Sequence, residues 1–544
     1  MSIDDFEPIE LPKRDLKGLY IGLLVLVVSV LLYSQRENFP MILEGRYVPF
    51  VGEVYSFPGE VNPATQETSE QTLEVFNKPW VEMFLVEQKA RNSDATFDRA
   101  YADGFVGRFS FDPTLQELMR GLTELMPFEI ESFELIRHQF ELVNRYLQAA
   151  NLPVRIDAGL SWAEKQGRRK LRYLPGIQQE LGKLGVDTTG GTANLLVMDR
   201  LDNLSTGSSA HGVAYMERME GWLILESMRR TTPQTLEGLK LNPPIYWIPN
   251  EGSASAELMQ TLGAWMAEGY LDAENQVAEG KFLLDLTYGV AIHEARHLAD
   301  AVDEPVLTEE GKLVFGGFTP RTLKSLLGEV RAYLSQVIEC PECTANTVAS
   351  MAAHLPKRAA GSRELYGAVA HYVLTAMADP KVLQGRPSAA QLLEVLRTSQ
   401  AKELFQGASD RAHSAYVSYF GAYRGASVSK DEEALKVVRD LLVQVNRQPS
   451  CKFQSYVVFL ADQLRQKKDY KNMQGYFEKI WSWQSWRCRD DVSRNKIRER
   501  YTQALAIEGQ AAQVVGLLDG EKKLGKLEQK ALNWARLTLL YKAK

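Results

Sequence analysis

The apolar and polar positions change rhythm several times along the chain, and each change marks a region. Residues Gly18–Ser34 (GLYIGLLVLVVSVLLYS) form an uninterrupted apolar run without a charge, just long enough to cross a hydrocarbon core of about 30 Å. Lys13, Arg14 and Lys17 precede it and Arg36 follows. That excess of positive charge predicts a cytoplasmic tail over residues 1–17, a transmembrane anchor over 18–34 and the bulk of the chain outside. A cleaved signal peptide is the rival reading, although no small-x-small cleavage pattern follows the run. A buried core helix fits less well, because charges crowd both ends. Residues 35–70 read as a tether, since Val51–Ser69 is rich in Pro, Gly, Ser, Thr and Glu.

Helical spacing dominates from about Gln71 to Leu184. It is clearest in Glu131–Ala150, where Phe133, Ile136, Phe140, Val143 and Leu147 share a face. Residues 71–190 are therefore expected to form the helical first part of the ectodomain. Short apolar runs bounded by polar turns follow: Ala193–Met198, Gly212–Met216 and Trp222–Leu225, with Met219–Gly221 closing a hairpin between the last two. Ile245–Ile248 sits between prolines and reads as an edge strand or an extended loop. Helical patterns resume near Ala256 and run almost to the C-terminus. This order predicts an α+β, mostly helical fold rather than a doubly wound sheet, with a core domain over 191–424. Gly425–Asp431 (GASVSKD) reads as a boundary. Over 432–544, Leu460, Ala461, Leu464, Asp469, Tyr470, Phe477 and Glu478 fall near the spacings of a tetratricopeptide repeat, with Met473 where a small residue is usual. Tyr501–Leu518 reads as a further hairpin. An ordinary α-hairpin bundle accounts for the same pattern.

Composition narrows the picture. At 544 residues the chain is long enough for roughly three units beyond the anchor. With 45% hydrophobic and 24% charged residues, long disorder is not expected. A net charge of −6 excludes a broad nucleic-acid footprint. Cys340, Cys343, Cys451 and Cys488 allow three pairings. The preferred set joins Cys340 to Cys343 and Cys451 to Cys488, which suits an oxidising compartment. A second zinc site at Cys340 and Cys343 would need another close cysteine pair, and a redox role would need a thioredoxin-like βαβ setting.

The chemistry centres on His293-Glu294-Ala295-Arg296-His297. The surrounding segment, FLLDLTYGVAIHEARHLADAV, is a helix candidate. Residues four apart on a helix share a face, with Cβ atoms about 5–6 Å apart, so both imidazoles can reach one Zn2+. Glu294, rotated by one residue, can stand beside the water that the metal activates and act as general base. A hydrolytic zinc site takes a third protein ligand. The choice is Glu329, in the helix candidate Pro320–Val337, which Thr319 caps and Pro320 opens. Leu323, Leu326, Val330, Tyr333 and Val337 form the apolar stripe of that helix, and Glu329 lies at its edge. The bland alternative pairs Glu329 with Arg331 or solvent. Asp303 is a rival ligand, weakened because Asp300 stands where a chain-turning glycine would be needed. Asp300 reads as a residue orienting a ligand imidazole, and Glu309 and Glu310 as solvated.

This arrangement resembles the zincin metallopeptidases of gluzincin type, which carry HExxH on one helix and a glutamate ligand on a later one. Glu329-Val330-Arg331-Ala332-Tyr333 is similar to the E-x-x-A-like continuation of several such families. The resemblance covers Phe282–Val337, roughly a tenth of the chain. It implies a zincin-like catalytic core with a strand bordering the cleft, either Ala193–Met198 or Gly212–Met216, to which substrate adds as an extra strand. It also implies a Tyr or His that stabilises the oxyanion. Tyr333 is taken first, with Tyr366, His371 and His413 as further candidates. His371 lies in an apolar helix where a hydrogen-bonded core histidine is the commoner explanation. His138, His211 and His354 have no partner pattern. Trp481, Trp483 and Trp486 read as helix packing or as a partner or sugar surface.

The expectation is therefore a membrane-anchored, zinc-dependent peptidase. It would be single-pass in an inner membrane, with a periplasmic catalytic domain, a peptide or protein substrate and a helical repeat for partner docking. The alternatives are a non-catalytic envelope scaffold built on the helical repeat, with HExxH as a relic, and a zinc hydrolase acting on a non-peptide amide.

Overall fold

The computed structural model of the chain describes residues 47–48 and 52–542, apart from 94, 166–167, 173–175, 189–190, 202–210, 248–255, 272–277, 303–305, 317, 363, 384–386, 399–400, 424, 426, 429–439, 441–449, 484–493 and 522. It divides into two compact units: Met1–Gln179 with Arg200–Gly207, and Glu180–Asp199 with Ser208–Lys544.

The first unit is built on helices α1 (Gln66–Phe76), α2 (Lys78–Asn92), α3 (Arg99–Gly107), α4 (Pro113–Glu124) and α5 (Phe133–Ala149). Local sequence explains their starts. The Asp98 and Asp112 carboxylates accept from the backbone N–H of Tyr101 and Leu115, and Pro113 opens α4 in the first-turn position where its missing N–H is harmless. Phe76, Trp80, Phe105, Phe109, Phe128, Phe140 and Tyr146 fill the core. The helical expectation for residues up to Leu184 is corrected. β1 (Val154–Asp157) pairs antiparallel with Gly176–Gln179, and β2 (Ser161–Lys165) pairs antiparallel with β3 (Arg168–Arg172). Both β2 and β3 are rich in charged residues, so the two-residue alternation that marks a strand is hidden.

The second unit holds a twisted sheet with helices against it. Its strands are β4 (Gly176–Thr188, of which Glu180–Thr188 belong here), β5 (Gly191–Arg200), β6 (Gly212–Tyr215), β7 (Glu220–Ile224) and β8 (Ser427–Val428). They lie in the order β8–β4–β5–β7–β6. β5 and β7 run parallel, while β7 and β6 are antiparallel, joined through Met219 in the left-handed conformation at φ 50°. Ile245–Trp247 is irregular rather than a strand. The helices are α6 (Leu225–Leu239), α7 (Ala256–Tyr270), α8 (Glu279–Val302), α9 (Glu309–Phe315), α10 (Pro320–Glu339), α11 (Thr344–Ala352), α12 (Leu355–Ala359), α13 (Leu365–Met377), α14 (Ala389–Leu396), α15 (Ala401–Leu404) and α16 (Ala408–Phe420). α8 is buried on almost every side from Ala291 to Ala299, because it lies between β6 and β7 on one flank and α10 on the other.

Five further helices, α17 (Cys451–Gln466), α18 (Tyr470–Ser482), α19 (Arg494–Ile507), α20 (Ala511–Leu518) and α21 (Lys526–Lys542), each pack on the next. Their core takes in Leu241, Ile245, Trp247, Met259 and Ala353, so packing is continuous from the sheet-bearing region into these helices. Cys340 and Cys343 form a disulfide directly after α10. Cys451 is also disulfide-bonded, and its expected partner Cys488 lies outside the described residues.

The expected fold class is corrected on the membrane helix. No helix among the described residues is long and apolar enough to cross a membrane. What stands is a mostly helical α+β protein with a small sheet. The Gly18–Ser34 run on which the anchor was placed lies outside the described residues.

Candidate metal centre

His293, Glu294 and His297 sit in the middle of α8, and Glu329 and Tyr333 in the middle of α10. Thr319 caps α10 by accepting from the Thr322 N–H, with Pro320 in the first turn. Glu329 falls on the face of α10 that meets α8.

The Nε2 atoms of His293 and His297 lie 3.2 Å apart. Glu329 Oε2 is 3.5 Å from the first and Oε1 is 3.7 Å from the second. Two donors bound to one tetrahedral zinc at about 2.0–2.1 Å stand roughly 3.3 Å apart. The separation of the two imidazole nitrogens is close to one edge of such a tetrahedron, each nitrogen has a different Glu329 oxygen within 3.7 Å, and two imidazoles with a carboxylate are a donor set that zinc takes. These three residues are the one such cluster among the described residues, their ligand atoms all within 4.8 Å of one another.

Electrostatics fit the same picture. Burial disfavours charge on His293, but its hydrogen bond with Glu329 and the charges of Glu294 and Glu329 outweigh it and raise its pKa. His297 is held down to about 4, by burial first and then by His293, with Arg296 and Arg331 adding; it is neutral and able to bind metal at ordinary pH. Burial would raise Glu329, yet the two imidazoles lower it overall, so it stays a carboxylate.

Glu294 is not part of the ligand cluster. Its buried carboxyl lies against the edge strand β6: a Cβ added at Gly212 would stand 2.5 Å from Oε1 and 2.8 Å from Cδ. Only glycine leaves that room. Burial, the largest effect, lifts the Glu294 pKa to about 7, with His293 opposing and Glu329 adding. A carboxyl in that range is matched to proton transfer near neutrality.

Tyr333 packs edge-on against the His293 imidazole, with ring centroids 4.4 Å apart. Its phenol is raised well above the ordinary range by burial, with Glu329, Tyr366 and Glu294 adding. Tyr366 is partly exposed, stacks on His354 and is raised to about 12 by burial, then by Glu329 and Glu294. The other oxyanion candidates are engaged elsewhere. His371 Nε2 meets the Pro387 carbonyl at 2.8 Å. His413 packs on Tyr423, which donates to Glu339, ten residues past Glu329 and so about 15 Å along the helix.

Asp300 is held in an ion cluster. It accepts from Arg296 Nε at 2.6 Å and meets Arg331 at 2.9 Å. Arg331, the alternative partner for Glu329, pairs with Asp300. Asp303 lies outside the described residues, and Glu309 is paired with Lys312 on an exposed turn of α9. The contact between Gly212 and Glu294 had no separate signal in the sequence beyond a glycine opening an apolar run.

No family model matches the chain, and neither a curated protein nor a solved structure is found to be similar to it.

Proposed function

We propose that this chain is a zinc-dependent hydrolase, a peptidase, with His293, His297 and Glu329 as metal ligands. The observation that carries the reading is the convergence of two imidazole nitrogens and a carboxylate from two helices at separations of 3.2, 3.5 and 3.7 Å. Zinc bound there would polarise the scissile carbonyl and lower the pKa of a water in its open position. Glu294, buried beside the ligands yet outside their cluster, would accept a proton from the attacking water and pass it to the leaving group. Tyr333 fixes the plane of the His293 ring, and its hydroxyl or that of Tyr366 donates to the developing oxyanion.

The edge strand supports an extended peptide as substrate. In β6 the His211 carbonyl accepts from the Ile224 N–H, which places residues 213 and 215 in hydrogen-bonded pairs with β7. The main-chain groups of Gly212 and Ala214 then point away from β7, next to Glu294, on a side where no strand pairs with β6 among the described residues and a peptide can add as a strand. The disulfides suit work in an oxidising compartment.

The test is metal analysis of purified protein together with peptide hydrolysis by Glu294→Gln. About one zinc per chain is expected in both proteins, with hydrolysis reduced by roughly 100- to 10,000-fold in the variant. A protein that refuses zinc, or a variant with undiminished hydrolysis, removes the reading.

A second reading, an interaction protein built on the C-terminal helices, is favoured by one observation. α21 buries Leu532 and Ala535 while Leu527, Trp534, Leu537, Leu540 and Tyr541 are exposed, so an apolar face is left uncovered among the described residues. A chain devoid of metal would leave this reading standing.

A further inference from the structure

Behind the ligands lies a buried ion cluster that the proposed chemistry does not use. Asp300 stands one helical turn beyond His297 on α8, on the same side. Arg296 of α8 and Arg331 of α10 both meet its Oδ1, with Arg331 Nη1 at 2.9 Å. Arg331 also donates from Nε to the Tyr416 hydroxyl at 2.9 Å, and its guanidinium lies over the rings of Tyr416 and Phe420 on α16. The three charged side chains are between 3% and 9% exposed, so they are shielded from water. Two cations against one carboxylate make a poor source of stability, since removing charges from water costs several kcal/mol per ion. What such a cluster does supply is direction: a planar guanidinium accepts only a narrow range of positions for its partners.

We infer that Asp300, Arg296 and Arg331, with Tyr416 behind them, act as a positioning clamp that fixes the register of α8 against α10 and thereby the spacing of the three metal ligands. Arg331 is two residues from Glu329 and Asp300 three from His297, so a slip of the clamp moves a ligand on each helix. Apolar packing between the helices holds them together. The ion cluster adds directional contacts between them at the register that brings the three ligands together. This inference rests on the zinc reading above.

Two variants of the full chain test it, Tyr416→Phe and the apolar triple Arg296→Met/Asp300→Leu/Arg331→Met, with zinc affinity measured by chelator competition and the site probed by the visible spectrum of bound Co2+. The triple variant exchanges the ions for residues of similar bulk, a change that often leaves stability intact or higher. The expected result is thermal stability near that of the parent, zinc affinity at least 10-fold weaker and an altered Co2+ spectrum. Tyr416→Phe, which removes one hydroxyl and keeps the fold even where the triple change does not, is expected to weaken zinc a few-fold. Parental zinc affinity and a parental Co2+ spectrum in the folded variants overturn the clamp while leaving the metal site in place. A parent chain that takes up neither metal overturns the zinc reading itself.

Discussion

At the scale of single residues, the site depends on an atom that is missing. Gly212 has no Cβ, and the Glu294 carboxyl occupies the space one would fill. Gly212→Ala therefore pushes the proposed base aside without touching His293, His297 or Glu329. Zinc content is expected to stay at the parental value while kcat falls on the order of 100-fold, the usual effect of a displacement near 1 Å; equal activity in the two proteins would refute the contact. Glu294 also makes a prediction for the metal-free protein. Its pKa rises from 4.5 unfolded to about 7 folded, so between those values the folded chain keeps a proton that the unfolded chain releases. The stability this contributes is present below pH 4.5 and is lost as the pH rises through 7. Glu294→Gln lacks that dependence. Denaturant titrations should show the variant gaining on the parent by roughly 3 kcal/mol across this range, and a gap that does not change with pH would count against the burial of the carboxyl. That His293, His297 and Glu329 would come together was legible in the sequence, because HExxH and a capped helix carrying Glu329 are local patterns. The Gly212 contact and the pairing of Asp300 with Arg331 were not, since both join segments far apart in the chain.

Helices and strands differ in how openly they declared themselves. α5, α8 and α10 follow from helical spacing and from end signals such as Thr319 and Pro320, which the structure places at the cap and first turn of α10. β5, β6 and β7 follow from short apolar runs. β2 and β3 do not, because charged residues occupy both of their faces in the sequence, and pairing with a neighbouring strand decided their conformation. The end of α10 has a covalent stop in the Cys340–Cys343 disulfide, whose Cys343 sulfur packs 3.1 Å from the Asp285 carbonyl of α8. Replacing both cysteines by serine is expected to lower stability by roughly 2 kcal/mol on the chain-entropy account of so short a loop. Thermal melts of the oxidised parent and the double variant check this, and identical midpoints would assign the pair no structural weight.

For the whole molecule, the division into two compact units separates the consequences of metal binding. All ligands belong to the unit of Glu180–Asp199 with Ser208–Lys544. Zinc at 100 times its dissociation constant stabilises the state that binds it by about 2.7 kcal/mol. Calorimetry with and without zinc should move the transition of that unit upward and leave the transition of the helical unit around α1–α5 where it is. A shift of both together would show that they unfold as one. The α+β character of the molecule was readable from the order of patterns. The packing of the C-terminal helices was not, because Leu241, Ile245 and Trp247 carry no local mark of the helices they touch.

That shared core has a consequence for the evolution and handling of the chain. Phe453, Tyr476 and Phe477 close over Ile245, Trp247 and Met259, so the last hundred or so residues are not cargo that can be exchanged or cut away. Shortening the protein before α17 would strip the cover from the Trp247 and Met259 side chains and leave a sticky scar in its place. A shortened chain is expected to lose solubility before it loses any chemistry.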